Sequence, residues 1–264
     1  MKKTWRIIFI GLAARLLVAG LTVAVFAQDG AQARGAGTAG FTYTDANGNQ
    51  QTTTNFGTAL TNSKAGTTVR MTGDTTFQAS GEPFATVNKT LTVDLGGYSL
   101  EILQNGQSGI YVSGNSTVLT FENGKLMTTR NDSYSNKSYA LFINAGDTPK
   151  VVLNDVSTVT GSLAVTWTNH FNIEVNGGQH SLTHSGQGVY GGFVESRTSM
   201  SFVANDATFF VDSSSWLVTQ LVNNDNFVSA ASSFTFNGCK IIEDSSDPTV
   251  LPYVGILKRS VYEK

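Results

Sequence analysis

A β-solenoid is the fold class that this 264-residue sequence predicts, and three observations predict it. A short phrase recurs: an apolar anchor, two polar or turn-forming residues, a usually small residue, and often an apolar residue to close. It appears as Leu95-Gly96-Gly97-Tyr98, Phe121-Glu122-Asn123-Gly124, Leu153-Asn154-Asp155-Val156, Val175-Asn176-Gly177-Gly178, Ala204-Asn205-Asp206-Ala207 and Phe236-Asn237-Gly238-Cys239. The anchors are 26, 32, 22, 29 and 32 residues apart, a loose period within the range of stacked-repeat folds. Short apolar runs precede the anchors, with Gly, Asn and Asp between them, as strands joined by tight corners would require. Charged residues are 14% of the chain, against about 25% in ordinary soluble domains, and Thr, Ser, Asn and Gly take their place.

Residues 1–27 read as an export signal. Lys2, Lys3 and Arg6 form a basic start, Leu16 to Phe26 an apolar core, and Val25-Phe26-Ala27 a small-residue cleavage site. Arg15 interrupts the apolar run, which is shorter than the roughly 18 residues expected of a membrane-spanning helix, so no stable insertion is expected after cleavage. The segment carries four basic residues and no acidic one, so its removal takes the formal net charge from −2 to −6. A surface that acidic has no electrostatic footprint for nucleic acid or anionic lipid. A single cysteine, Cys239, allows no internal disulfide, and its alignment with Gly, Val and Ala of other coils reads as a small buried hydrophobe.

Residues 28–54 read as a flexible leader containing a short strand or hairpin, because Phe41-Thr42-Tyr43-Thr44 alternates and Asp45-Ala46-Asn47-Gly48 is a turn signal. Asn55 then caps a predicted short helix with Phe56, Ala59 and Leu60 on one face. Placed before the first strands, such a helix covers the apolar interior and unpaired edge that a solenoid's first coil exposes. The β-helix is expected over 55–245, with two or three strands per coil. Its anchors Leu95, Phe121, Leu153, Val175, Ala204 and Phe236 are expected in one inward ladder, and Tyr98, Gly124, Val156, Gly178, Ala207 and Cys239 in another. The Asn and Asp beside the anchors read as corner residues that tolerate left-handed backbone. Residues 246–264 read as a C-terminal strand or incomplete coil, through which the chain is expected to self-associate.

The run T-V-D-L-G-G-Y-S-L, preceded by A-G-T-T-V-R-M-T-G-D-T-T-F and followed by G-I-Y-V-S-G-N-S-T-V-L-T-F-E-N-G-K-L, resembles the pectin lyase-like right-handed parallel β-helices of bacterial secreted and surface proteins. The resemblance covers residues 55–130 and becomes compositional from 131 to 245. It implies an all-β, single-stranded right-handed parallel β-helix with a short N-terminal capping helix. It does not select an activity, because lyases, glycoside hydrolases, adhesins and phage spikes share that fold.

The motifs expected of a β-helical glycoside hydrolase or lyase are missing: there is no Asp-Asp, no Gly-His-Gly and no Arg-x-Lys. Glu174, His180, His184, Glu195 and Arg197 come nearest to a catalytic cluster, and they are read in preference as outward polar residues of a solvated sheet. His180 and His184 would sit about 13 Å apart on one strand, so no shared metal is expected, and no cofactor. Tyr134, Tyr139, Trp167 and Tyr190 are the aromatic residues proposed to meet a ligand, with the polar stretch Thr129 to Ser138 beside them. The expected function is a secreted or cell-surface binding module for an extracellular glycan or a host or cell-surface protein, without catalysis. A polysaccharide lyase or hydrolase with an atypical site, and a structural repeat from a larger surface protein, are the alternatives.

Overall fold

Three ladders of parallel strands, one strand per coil in each, build the molecule. The structure is a computed structural model that describes residues 39–81, 83–104, 109–130, 140–167, 169–182, 192–196, 198–211, 216–223, 232–243 and 256–261. The export signal expected over 1–27 lies outside these residues. All the described residues belong to one unit, Gly37–Lys264.

The first ladder stacks Thr68–Met71, Leu91–Asp94, the leading halves of Val118–Arg130 and Lys150–Thr160, then His170–Asn176, Ser199–Asn205 and Ser233–Asn237. The second stacks Thr75–Gln78, Ser99–Gln104, the trailing halves of the same two long strands, Gln179–Leu182, Thr208–Val211 and Lys240–Glu243. The third is a seven-stranded sheet of Ala85–Val87, Ile110–Val112, Ala140–Asn144, Ser162–Thr166, Gly192–Ser196, Trp216–Asn223 and Ile256–Val261. Strands in each ladder pair in parallel, because each returns to its neighbour only after the chain has run round the other two faces. This is the parallel β-solenoid the sequence predicts, with three strands in every coil. The C-terminal strand falls at Ile256–Val261 and joins the third ladder beside Trp216–Asn223.

The register confirms most of the predicted inward ladder and corrects its first member. Phe121, Leu153, Val175, Ala204 and Phe236 lie directly above one another, but the residue paired with Phe121 is Val93, not Leu95. Asp94 pairs with Glu122 and Ser99 with Lys125, so four residues turn a corner that Asn123 and Gly124 turn alone in the next coil. Leu95 folds into the extra space and is fully buried. A Cβ on Gly124 would stand 2.5 Å from that of Leu95, so the wide corner of one coil demands glycine in its neighbour. The second predicted row agrees with the register: Gly124 pairs with Val156, and Thr208, next to Ala207, pairs with Lys240, next to Cys239. Cys239 is a half-buried free thiol packed against the core, its Sγ 3.4 Å from the Ala204 carbonyl oxygen.

The N-terminal end is closed as expected. Helix α1, Phe56–Asn62, starts where the Asn55 side chain accepts a hydrogen bond from the Thr58 amide at 2.8 Å. It buries Phe56, Ala59 and Leu60 over the first coil. Phe56 is the plug: its ring lies 5.0 Å from Phe41, 6.1 Å from Phe77 and 6.3 Å from Phe121, centre to centre. Phe41–Thr44 and Gln50–Thr53 form an antiparallel hairpin, and Phe41 and Thr42 pair antiparallel with Met71 and Arg70. An antiparallel hairpin on a parallel ladder ends the stack with a polar edge, Gln50–Thr53, that offers no apolar surface.

Candidate functional site

The corner between the first two ladders repeats one local solution. Asn154, Asn176, Asn205 and Asn237 are stacked in register, and each of the last three passes a side-chain hydrogen bond to the asparagine of the coil before it. Asn176 Nδ2 donates to Asn154 Oδ1 at 2.9 Å, Asn205 Nδ2 to Asn176 Oδ1 at 2.7 Å, and Asn237 Nδ2 to Asn205 Oδ1 at 2.8 Å. The residue after each asparagine has positive φ: Asp155 (51°), Gly177 (73°), Asp206 (53°) and Gly238 (64°). These are the residue types that tolerate left-handed backbone. The row is therefore structural, as its residue types predict. Replacing Asn205 by Ala removes one donated and one accepted bond in the half-buried row, and should lower unfolding free energy by about 1–2 kcal/mol in a urea melt.

Outward of this corner, the first ladder presents polar side chains in rows. Lys150, Asn172, Ser201 and Ser233 stand in one register, next to Glu174 in the neighbouring row. Glu174 accepts from Lys150 Nζ at 2.5 Å and from Asn176 Nδ2 at 3.0 Å, which together hold its carboxyl below the usual carboxylate range. Its charge is committed to a partner one coil away. His170 Nδ1 is 2.8 Å from Ser199 Oγ on the same face.

His180 is elsewhere. It belongs to the inward row Leu126–Thr158–His180–Phe209–Ile241 and is almost completely buried, so the outward reading fails for it. Two left-handed glycines, Gly177 and Gly178, turn the corner so that the alternation carries His180 inside. Its Nε2 faces the Gly177 carbonyl at 3.0 Å, and because a carbonyl only accepts, Nε2 carries the proton. Nδ1 then accepts from the Thr158 hydroxyl at 3.0 Å. The ring stacks on Phe209 at 5.2 Å and meets Phe193 edge-on at 5.4 Å. Burial pushes its pKa down to about 4, so the ring is neutral. The imidazole therefore packs among phenyl rings as part of the core.

Glu195 is buried on the third ladder, in register between Val165 and Thr219. Trp167 packs edge-on to Tyr111 at 6.1 Å, against a small apolar cluster of Ala140, Ile143 and Val165 outside the main core. Glu174, His180 and Glu195 thus stand on three different ladders. His184, Arg197, Tyr134, Tyr139 and Tyr190 lie outside the described residues. Among the described residues, no three His, Cys, Asp or Glu side chains come together as metal ligands do.

A concave feature lies at the N-terminal end. The hairpin turn and the end of α1, tied by Lys64 N donating to the Thr44 carbonyl at 2.8 Å and by an antiparallel bridge between Asp45 and Ser63, enclose a groove of about 410 Å³. The sequence pattern marks none of its residues as a site, because the groove exists only once the hairpin pairs with the first coil.

Comparison with known proteins gives no match: no family model fits the chain, and no curated protein or solved structure is significantly similar to it.

Proposed function

We propose that this chain is an exported binding module, a secreted or cell-surface parallel β-helix of the pectin lyase-like kind that recognises an extracellular glycan or a host or cell-surface protein without catalysing a reaction. One observation carries the reading: the first ladder's outer face sets Lys150, Asn172, Ser201 and Ser233 in a straight row on a hydrogen-bonded sheet. Donors and acceptors repeating at the strand spacing of about 4.8 Å suit an extended ligand with repeating polar groups. A rigid sheet keeps the ordering cost of binding low. The dispersal of Glu174, His180 and Glu195 over three ladders favours binding over hydrolysis or elimination. Self-association through the C-terminal coil belongs to the same reading: Phe234 and Phe236 are only partly buried, where their counterparts Phe202 and Ala204 in the preceding coil are fully buried.

The test is retention of the purified protein on immobilised neutral and acidic polysaccharides. Unsaturated-uronide absorbance and new reducing ends are followed on the same glycans, with mass by light scattering. Retention without product is the expected result. Product from any glycan would replace the binding reading with that of an enzyme, and a strictly monomeric mass at all concentrations would remove self-association from it.

A further inference from the structure

The groove at the N-terminal end has walls whose chemistry does not cancel. It is lined by Tyr43, Asp45, Asn47, Gln51, Asn62 and Lys89, with Thr61 and Ser63 at the end of α1. Its volume of about 410 Å³ falls within the range of small-molecule sites. Its two charged residues are in different situations. The Asp45 carboxylate is solvated by the hairpin: Oδ1 accepts from the amides of Asn47 and Asn49, both at 2.9 Å, and Oδ2 from Gln51 Nε2 at 2.9 Å. The Asn49 and Gln51 contacts lead in holding its carboxyl below the ordinary range. Lys89 donates to the Thr61 carbonyl at the C-terminal end of α1, an attractive place for a cation, but that acceptor is neutral. The ion pairs among the described residues are Arg70–Asp94 and Lys150–Glu174, so among those residues the Lys89 ammonium has no carboxylate of its own. Partial burial moreover lowers its pKa, which marks a cation drawn out of water without a counter-charge.

An ammonium has three donors, and the Thr61 carbonyl uses one. A ligand that meets this groove must offer an anionic oxygen to Lys89 and hydroxyl groups to the Asp45 carboxylate and the amides of Gln51, Asn47 and Asn62. A sugar acid has both. A neutral sugar supplies the hydroxyls alone, and a simple anion supplies the charge alone and meets Asp45 as a like charge. We propose that the groove between the hairpin turn and the end of helix α1 is a binding site for a carboxylate-bearing sugar, with Lys89 holding the carboxylate and Asp45 accepting from the hydroxyls. The site is separate from the outer face of the first ladder: Lys89 lies between the first and second coils, at the capped end of the stack. It can therefore exist whether or not that face binds a polymer.

The experiment is an amide-resolved NMR titration of the full chain with glucuronate, glucose and acetate. Shifts confined to Asp45–Asn49, Thr61–Lys64 and Lys89 are expected with glucuronate, at an affinity about tenfold above that for glucose or acetate, the worth of one charge-assisted contact. Lys89→Gln should reduce glucuronate to the level of glucose, and Lys89→Arg, which keeps the charge and the bond to Thr61, should restore it. Lys125→Gln, on the second ladder and outside both sites, should leave the titration unchanged. Equal shifts with all three ligands, or equal binding by wild type and a folded Lys89→Gln protein, would overturn the proposal. If Lys89→Gln fails to fold, loss of binding in Asp45→Asn with unchanged amide positions in α1 supports the proposal in its place, and undiminished binding by that variant overturns it. Failure of the glycan-retention test with a positive glucuronate titration would remove the outer-face reading and leave this one standing.

Discussion

Replacing Gly178 by alanine is expected to abolish cooperative folding under conditions where the wild type is stable. Gly178 turns the corner into the second ladder at φ 81°, where an L side chain is already strained by about 1–2 kcal/mol. A Cβ there would also stand 2.2 Å from the Val156 carbonyl oxygen and 2.8 Å from its carbon, both backbone atoms of the coil before. Backbone held by a parallel ladder on both sides cannot step aside as a flexible side chain would. The clash must open the pairing of Thr158 with His180, and with it the inward row, at a total cost of more than about 4 kcal/mol. Gly48→Ala is the control, because Gly48 has φ 89° but nothing within 4 Å of the methyl group that alanine would add. It should lose only the local strain of about 1–2 kcal/mol. Circular dichroism and urea melts of the two variants separate the contributions. Equal melts would show that neighbouring coils yield more easily than the geometry requires.

The second large effect is on acid stability. His180 is neutral in the folded protein, with its pKa lowered from 6.5 to about 4 by burial, whereas in the unfolded chain it titrates at its ordinary value. Between those two values the unfolded state binds the extra proton, so stability rises with pH across the window and falls as pH drops. The contribution is intact above pH 6.5, is lost progressively down to pH 4, and totals about 3 kcal/mol. Glu174, held below its ordinary range by Lys150 and Asn176, loses its own contribution as pH falls through 4.5 and below, so it adds only to the acid end of the His180 window. In His180→Phe the ring still packs against Phe193 and Phe209, but the Thr158 hydroxyl and Gly177 carbonyl lose a partner. That variant should be about 1–3 kcal/mol less stable than wild type at pH 7.5. Its urea midpoint should then be nearly flat from pH 6.5 to 4.5, where that of the wild type falls. Parallel pH profiles for the two proteins would show that His180 is not the group responsible.

The two effects share an origin in the corner Asn176-Gly177-Gly178, which the sequence identified only in part. Its residue types announced a tight turn with left-handed backbone, and Asn154, Asn176, Asn205 and Asn237 do stack there. Nothing beside His180 in the chain marked it as inward; only its register with Thr158, Phe209 and Ile241 of the other coils brings it inside. Whether a strand residue points in or out depends on how many residues the preceding corner consumes, and one more or one fewer reverses the whole strand. The same sensitivity displaced the ladder at Leu95, where the corner takes four residues and not two. A search for acid and base residues along a solenoid sequence therefore inherits every uncertainty in corner length. Glu174 and His180, six residues apart, end on different ladders and opposite sides of the wall.

What the sequence determined by itself was the solenoid, its helical cap and the chemistry of its corners. These rest on local causes: Asn55 satisfies the first amides of α1, Phe56, Ala59 and Leu60 share one helical face, and Asn, Asp and Gly are the residues that accept positive φ. Tertiary structure alone decided the register between coils, the neutral buried state of His180, the pairing of Lys150 with Glu174, and the groove between the hairpin turn and α1. Each of these brings together residues from separate strands or coils, and in a solenoid that meeting is set by the summed length of every corner between them. A sequence pattern records which residues a corner contains, while the stacking of one coil on the next decides what those residues face.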